Sequence, residues 1–337
     1  MNSKKLNRFI NIFSVILIGL GFYFLLRKGD WSQVLDIKDN ISYPGLIAVL
    51  GLFILSQFLM IVRWYLLLIP IKTDINLKSV FRIAVNAIIL NQIAPGKVGY
   101  PTKAFFLKKA EDIPISSSIP SLMSEIFLDY SITGIFLIVV VLLGGYLKSF
   151  MQLLSSRFNP GHIWLIPALL LLILLGYFIL KHKLKSSEIT KNIAIAFQLT
   201  RQRMDIIIKS VLLTVMALFI WFICDYVLLL SLGYKLPLDF LIFVGAFTNI
   251  FVLLSPLPGG LGFREISGAY LFKLFYNLGE IAVIMVLLSR LFSLLSLLIL
   301  YGFDWLFRLL KKDDISFEPI SNTDFAAEGM KLPTAKN

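Results

Sequence analysis

The chain has 337 residues, of which 58% are hydrophobic and only 15% charged, a composition that excludes an ordinary soluble domain and leaves an integral membrane protein. The formal net charge of +12 does not imply nucleic acid, because the basic residues sit in short loops between apolar runs, the pattern of cytoplasmic loop bias. One cysteine, Cys224, excludes an internal disulfide, and the two histidines, His162 and His182, lie in or beside loops without metal-ligand spacing; neither a metal nor a cofactor is expected.

In chain order, apolar runs at 9–26, 44–70, 118–147, 163–180, 210–232 and 281–310 are each long enough to cross a bilayer. The first follows Lys4, Lys5 and Arg8, as a signal peptide would, but runs into Arg27 and Lys28 with no small-residue cleavage site, so it reads as a retained helix. Two weaker pairs of apolar segments remain, 80–94 with 100–107 and 240–257 with 263–275. Most of these arms are short for a full crossing and predict re-entrant hairpins. The segment 311–337 is polar, contains Pro319 and Pro333, and predicts a disordered cytoplasmic tail with no soluble enzymatic domain attached. The expected fold is all-α: a polytopic membrane domain over 1–310 with about six spanning helices and two hairpins.

Each hairpin turns on Pro-Gly-x-x-Gly, at Pro95–Gly99 and Pro258–Gly262. The composition would supply roughly 0.05 such matches by chance, so two copies point to an internal repeat. Asn86 and Asn249 each precede their motif's proline by nine residues, and "RWYLLL" at 63–68 aligns with "DYVLLL" at 225–230. Both halves, 44–147 and 210–310, read span, hairpin, span. With both termini in the cytoplasm, 20 Lys/Arg fall in inside loops and 8 in outside ones, which favours that orientation over its inverse. The first hairpin then enters from the cytoplasm and the second from outside. That is an inverted repeat, a signature of secondary transporters with sites at interrupted helices.

Proline lacks an N–H and glycine permits positive φ, so the motif can stop one half-helix and start another whose first N–H groups face a ligand. Pro95, Gly96, Lys97, Gly99 and Lys103 in the first hairpin, with Pro258, Gly259, Gly260, Gly262, Arg264 and Glu265 in the second, are the candidate headgroup-binding residues. A phosphate-bearing ligand suits them; a purely structural corner is the alternative. Neither loop is a Walker motif.

Charges within spans are costly unless paired or hydrated: Arg63, Glu125, Asp129, Asp225 and Arg290, with Asp304 near a membrane face. Glu125 and Asp129 are four apart on one helical face. They either carry a proton or are held by Arg63 and Arg290 in static pairs. Asp225 can pair with Arg290 or with Arg63. Trp64 and Trp221 read as packing or interface anchors.

The segments "VRWYLLL" (62–68), "NQIAPGKVGYPTKAFFL" (91–107), "SEIFLD" (124–129), "PLPGGLGFREISGAYL" (256–271) and "LLSRLFSLLSLLILYG" (287–302) resemble, in order, the transmembrane region of lysylphosphatidylglycerol synthases, a flippase-like family. The resemblance implies movement of polar lipids between leaflets, such as modified phospholipids or polyprenyl-phosphate sugars. Three features depart from the family pattern: Ile126 follows Glu125 where arginine is usual, "GYPTK" lacks the first motif's acid and carries Lys103 for its arginine, and the aminoacyl-transfer domain is missing. The expected function is therefore non-enzymatic translocation of an anionic or phosphate-bearing lipid across the cytoplasmic membrane. The alternatives are a transporter of a small anionic solute and a non-transporting scaffold for a lipid-modifying glycosyltransferase. The expected partners are membrane lipids, with no nucleic acid.

Overall fold

The computed structural model describes residues 41–93, 99–146, 203–252, 260 and 262–311. The predicted spans at 9–26 and 163–180, the tail beyond 311, and Pro95, Gly96, Lys97, Pro258 and Gly259 lie outside the described residues.

Among the described residues eight helices follow one another: α1 (Tyr43–Leu68), α2 (Leu77–Ile93), α3 (Gly99–Glu111), α4 (Ile115–Leu143), α5 (Met204–Ser231), α6 (Leu238–Val252), α7 (Phe263–Tyr276) and α8 (Gly279–Lys311). Four of them, α1, α4, α5 and α8, are long and apolar enough to cross a membrane. They match four of the six predicted spans, with α4 and α5 beginning three and six residues earlier than hydropathy alone indicated. The other four have 17, 13, 15 and 14 residues, short of the roughly 20 a crossing needs.

The boundaries have local causes. Ser42 caps α1 by accepting a bond from the Gly45 N–H, with Pro44 in the first turn, where a missing donor costs nothing. Asp112 ends α3 at φ +60° and Asn277 ends α7 at φ +57°, left-handed positions that short polar side chains tolerate. Gly233, at φ +87°, turns the chain after α5.

Helices α1 and α5 pack antiparallel along their length. Arg63 meets Thr214, Ser56 donates to the Ala217 carbonyl, Phe53 lies edge-on to Trp221, and the Ser42 N–H donates to the Ser231 carbonyl. Small residues permit the approach: a Cβ at Gly45 would lie 2.2 Å from the Ser231 hydroxyl. The buried apolar residues form two clusters. One gathers Ile61, Trp64 and Leu68 of α1 with α2, α3 and Leu122 of α4. The other gathers Val49 and Phe53 of α1 with α5, α6, α7 and much of α8. The two short-helix pairs therefore pack toward opposite ends of α1. The second cluster closes on an aromatic knot in which Tyr146 stacks on Phe243 at 5.0 Å and donates to Asp239. Burial and that carboxylate push the Tyr146 phenol well above its ordinary range.

The chain divides at Tyr301 into two units. The described part of the second is the end of α8 from Gly302 on.

Candidate functional site

Among the described residues, two clusters within the helices each bring together two cations and two carboxylates. In the first, Arg63 of α1 is almost fully buried and meets both acids of α4. Its Nη1 donates to Asp129 Oδ1, its Nη2 donates to Asp129 Oδ2 at 3.2 Å, and the same nitrogen lies 3.2 Å from Glu125 Oε1. Thr214 Oγ1 accepts a further bond from Nη1 at 3.1 Å and its own O–H donates to the Ser210 carbonyl at 2.7 Å. Lys103 of α3 donates to both Glu125 oxygens at 2.8 Å, and its ammonium sits 4.5 Å above the Trp64 ring and 5.7 Å from that of Tyr100. The result is a continuous chain Lys103–Glu125–Arg63–Asp129 joining α3, α4 and α1. The one-turn spacing of Glu125 and Asp129 explains how one guanidinium bridges them.

The second cluster uses α7 as its bridge, since adjacent residues there reach different spans. Arg264 Nη2 approaches Asp225 Oδ2 of α5 to 3.6 Å, and its guanidinium lies 5.6 Å from the Trp221 ring centre. Asp225 takes a better bond, 2.8 Å, from the Ser289 hydroxyl of α8. Glu265 accepts the Gly262 N–H at 2.8 Å, capping its own helix, while Arg290 Nε of α8 lies 2.9 Å from its other oxygen. That last approach is off the N–H direction: among the described residues, Arg290 Nε and Nη2 and Glu265 Oε1 are buried without a hydrogen-bond partner. Donor capacity is thus left over on Arg290. The Arg264 contact is longer than a hydrogen bond.

These partners decide what the sequence left open. Arg63, with Lys103 on Glu125, neutralises Glu125 and Asp129, and Arg290 goes to Glu265. Asp225 pairs with Arg264 rather than with Arg290 or Arg63. Trp64 is fully buried beneath Lys103, so it packs and does not anchor at an interface. Lys103 is likewise drawn into the first cluster and faces Glu125.

The glycines divide by role. A Cβ at Gly99 would lie 2.2 Å from the Ala87 carbonyl oxygen and 2.5 Å from the Asn91 side chain, whose oxygen accepts the Gly99 N–H at 2.7 Å. Gly99 is therefore required by packing between α2 and α3. Gly260 has φ +71° and no room for a Cβ beside Val252. Gly262 has φ +81° with open space around it, so its requirement is conformational. Thr214, Ser289, Asn91, Gln57, Gln92 and Ser293 were missed as polar partners. The usable signal was Ser289, Ser293 and Ser296 at helical spacing along α8, and Gln57 within an apolar span. Among the described residues no group of three metal-ligating side chains occurs.

The first cluster is the more fully bonded, with Arg63 Nε left without a partner among the described residues, whereas the second leaves Arg290 Nε and Nη2 unpartnered and keeps two guanidiniums beside the start of α7. No significant match was found among curated proteins or among solved structures. The family model of the lysylphosphatidylglycerol synthase TM region matches residues 11–300; the chain is a multi-pass membrane protein and belongs to that family.

Proposed function

We propose that the protein moves a polar lipid with a phosphate-bearing headgroup between the leaflets of the cytoplasmic membrane, with both termini in the cytoplasm and without chemical conversion of the lipid. The observation that carries this reading is the second cluster: Arg264 and Arg290 stand beside the N-terminus of α7, and Arg290 Nε and Nη2 are buried without a hydrogen-bond partner among the described residues. Guanidiniums bind phosphate through paired N–H groups, and a helix N-terminus adds favourable dipole. Membership of a flippase-like family supports the same direction.

The packing is consistent with an inverted repeat. Each half reads long helix, two short helices, long helix, and the leading helices α1 and α5 are antiparallel. Arg63 and Phe53 are ten residues apart on α1, so the two clusters are separated by about 15 Å along its axis, with Trp221 and Arg264 at the Phe53 level. A headgroup exchanging leaflets would be received at the second cluster while the first holds its half together.

The test is leaflet exchange of tail-labelled phospholipids in reconstituted vesicles. Arg264→Gln and Arg290→Gln, recovered folded, are expected to lower the rate at least about tenfold, the loss of one charged hydrogen bond. Wild-type rates in both variants would remove the headgroup from this cluster, and a wild-type protein that moves no lipid would remove the function. The orientation is tested separately with single cysteines. Lys109→Cys should be shielded from an impermeant thiol reagent in intact cells and Lys235→Cys should react; the opposite pattern would invert the topology.

A further inference from the structure

An uncharged polar contact lies beside the second cluster and takes no part in it. Gln57 of α1 and Gln92 of α2 both direct their side-chain N–H groups to the hydroxyl of Ser293 of α8, at 3.4 and 3.3 Å. Gln57 and Ser293 are buried. A serine oxygen can accept two such bonds, but both are near the outer limit of hydrogen-bond length, so neither amide is held tightly. Ser293 follows Arg290 by three residues, which puts the two side chains on one face of α8 with about 5–6 Å between their Cβ atoms. That separation is comparable to the reach from a phosphodiester to hydroxyls on its substituent.

The chemistry of this contact is selective. An amide offers both donors and an acceptor, and a hydroxyl can use both. An ammonium group there would compete with cations already in place: Glu125 and Asp129 are paired with Arg63 and Lys103, Asp225 with Arg264, and Glu265, though its Oε1 lacks a hydrogen bond, with Arg290. An uncompensated charge at membrane depth is costly. We infer that Gln57, Gln92 and Ser293 form a subsite that selects a hydroxyl-bearing phosphodiester headgroup, such as phosphoglycerol or a phosphorylated cyclitol or sugar, over an ammonium-bearing one. The inference rests on the proposed transport reading for its biological meaning and adds the substrate class.

The experiment uses the full chain in vesicles with trace tail-labelled phosphatidylglycerol, phosphatidylinositol or phosphatidylethanolamine. Wild type is expected to move the first two about tenfold faster than the third, the discrimination that one or two neutral hydrogen bonds provide. In the double variant Gln57→Leu, Gln92→Leu that ratio falls toward one. Equal wild-type rates, or a double variant that slows all three lipids alike and keeps the ratio, would reduce the contact to glue between helices and overturn the inference. If only one hydroxylated lipid is favoured, the subsite stands and its source is named. The second measurement is the thermal midpoint in detergent with short-chain forms of the same lipids. Where no lipid crosses, selective stabilisation by the hydroxylated headgroups, lost in the double variant, keeps the subsite and removes transport alone; no selective stabilisation removes both.

Discussion

The two charged clusters contain the same inventory and arrange it in opposite ways. In the first, the leading helix carries the cation and the last helix both acids, so one guanidinium and one ammonium are closed off by two carboxylates. In the second, the leading helix carries the acid and the last helix the cation, and α7 stands between them with one residue of each sign. Dividing the bridge between Arg264 and Glu265 leaves each pair incompletely matched. Among the described residues the first, more closed cluster leaves one guanidinium nitrogen unpartnered, Arg63 Nε, and the second leaves two, Arg290 Nε and Nη2. The physical difference is alignment, since all five ion pairs involve groups of the same formal charge.

The largest expected effect tests the closed cluster. Arg63→Leu leaves Glu125 and Asp129 in a buried site with only Lys103, and should cost about 3–5 kcal/mol, read as a collapse of the thermal midpoint and of monodisperse yield in detergent. Arg264→Leu leaves Asp225 with its Ser289 bond and should cost roughly 1–3 kcal/mol. Equal destabilisation by the two would erase the contrast between the clusters.

The hairpin glycines sharpen the same comparison. Gly99→Ala drives a Cβ against the Ala87 carbonyl, and with backbone as the obstacle the cost should reach about 3 kcal/mol. Gly262→Ala meets no atom and pays only for its left-handed φ, about 1–2 kcal/mol. A reversal of that order in denaturation would mean that the second hairpin, not the first, is the one packed to its limit.

Asp129→Asn separates a static partner from a proton carrier. Arg63 holds Asp129 through both oxygens, so the variant should lose roughly 1–3 kcal/mol of stability while the pH profile of lipid exchange keeps its shape. A flattened profile at normal stability would make the acid a proton carrier. The smallest effect is expected across the α1–α5 seam, where among the described residues no cation–carboxylate pair joins the two helices and Arg63 meets only the Thr214 hydroxyl. Thr214→Val removes one acceptor from Arg63 and should shift stability by about 0.6 kcal/mol, the average for such bonds in membranes. A loss as large as that of Arg63→Leu would place the lock between the halves instead of within the first.

Much of the fold was legible because hydropathy is a one-dimensional signal. Runs 44–70 and 210–232 had to become long helices, since every backbone group at membrane depth must be bonded within its own segment. The short arms were legible too, from their length and from the turn chemistry of Pro-Gly-x-x-Gly. The reason for Gly99 was not. From the chain alone Gly99 reads as part of a turn whose N–H groups face a ligand, whereas its neighbour is the Ala87 carbonyl, twelve residues back on the adjoining helix. Lys103, a candidate headgroup contact beside that turn, gives both of its short bonds to Glu125. The Gln57–Ser293–Gln92 contact was invisible, because neutral amides in apolar runs barely change the hydropathy from which the spans were read.

The sequence by itself determined that this is a polytopic helical membrane protein of the lysylphosphatidylglycerol synthase TM family, with costly charges inside its spans and two interrupted segments between them. It determined that those charges needed partners, since transfer into the membrane disfavours a lone ion whatever its neighbours. Only the tertiary structure decided which partners. Any cation attracts any carboxylate at comparable strength for a given distance, so the choice among Arg63, Lys103, Arg264 and Arg290 was made by where the packing of α1 on α5, and of the short helices on the long ones, set the side chains within reach.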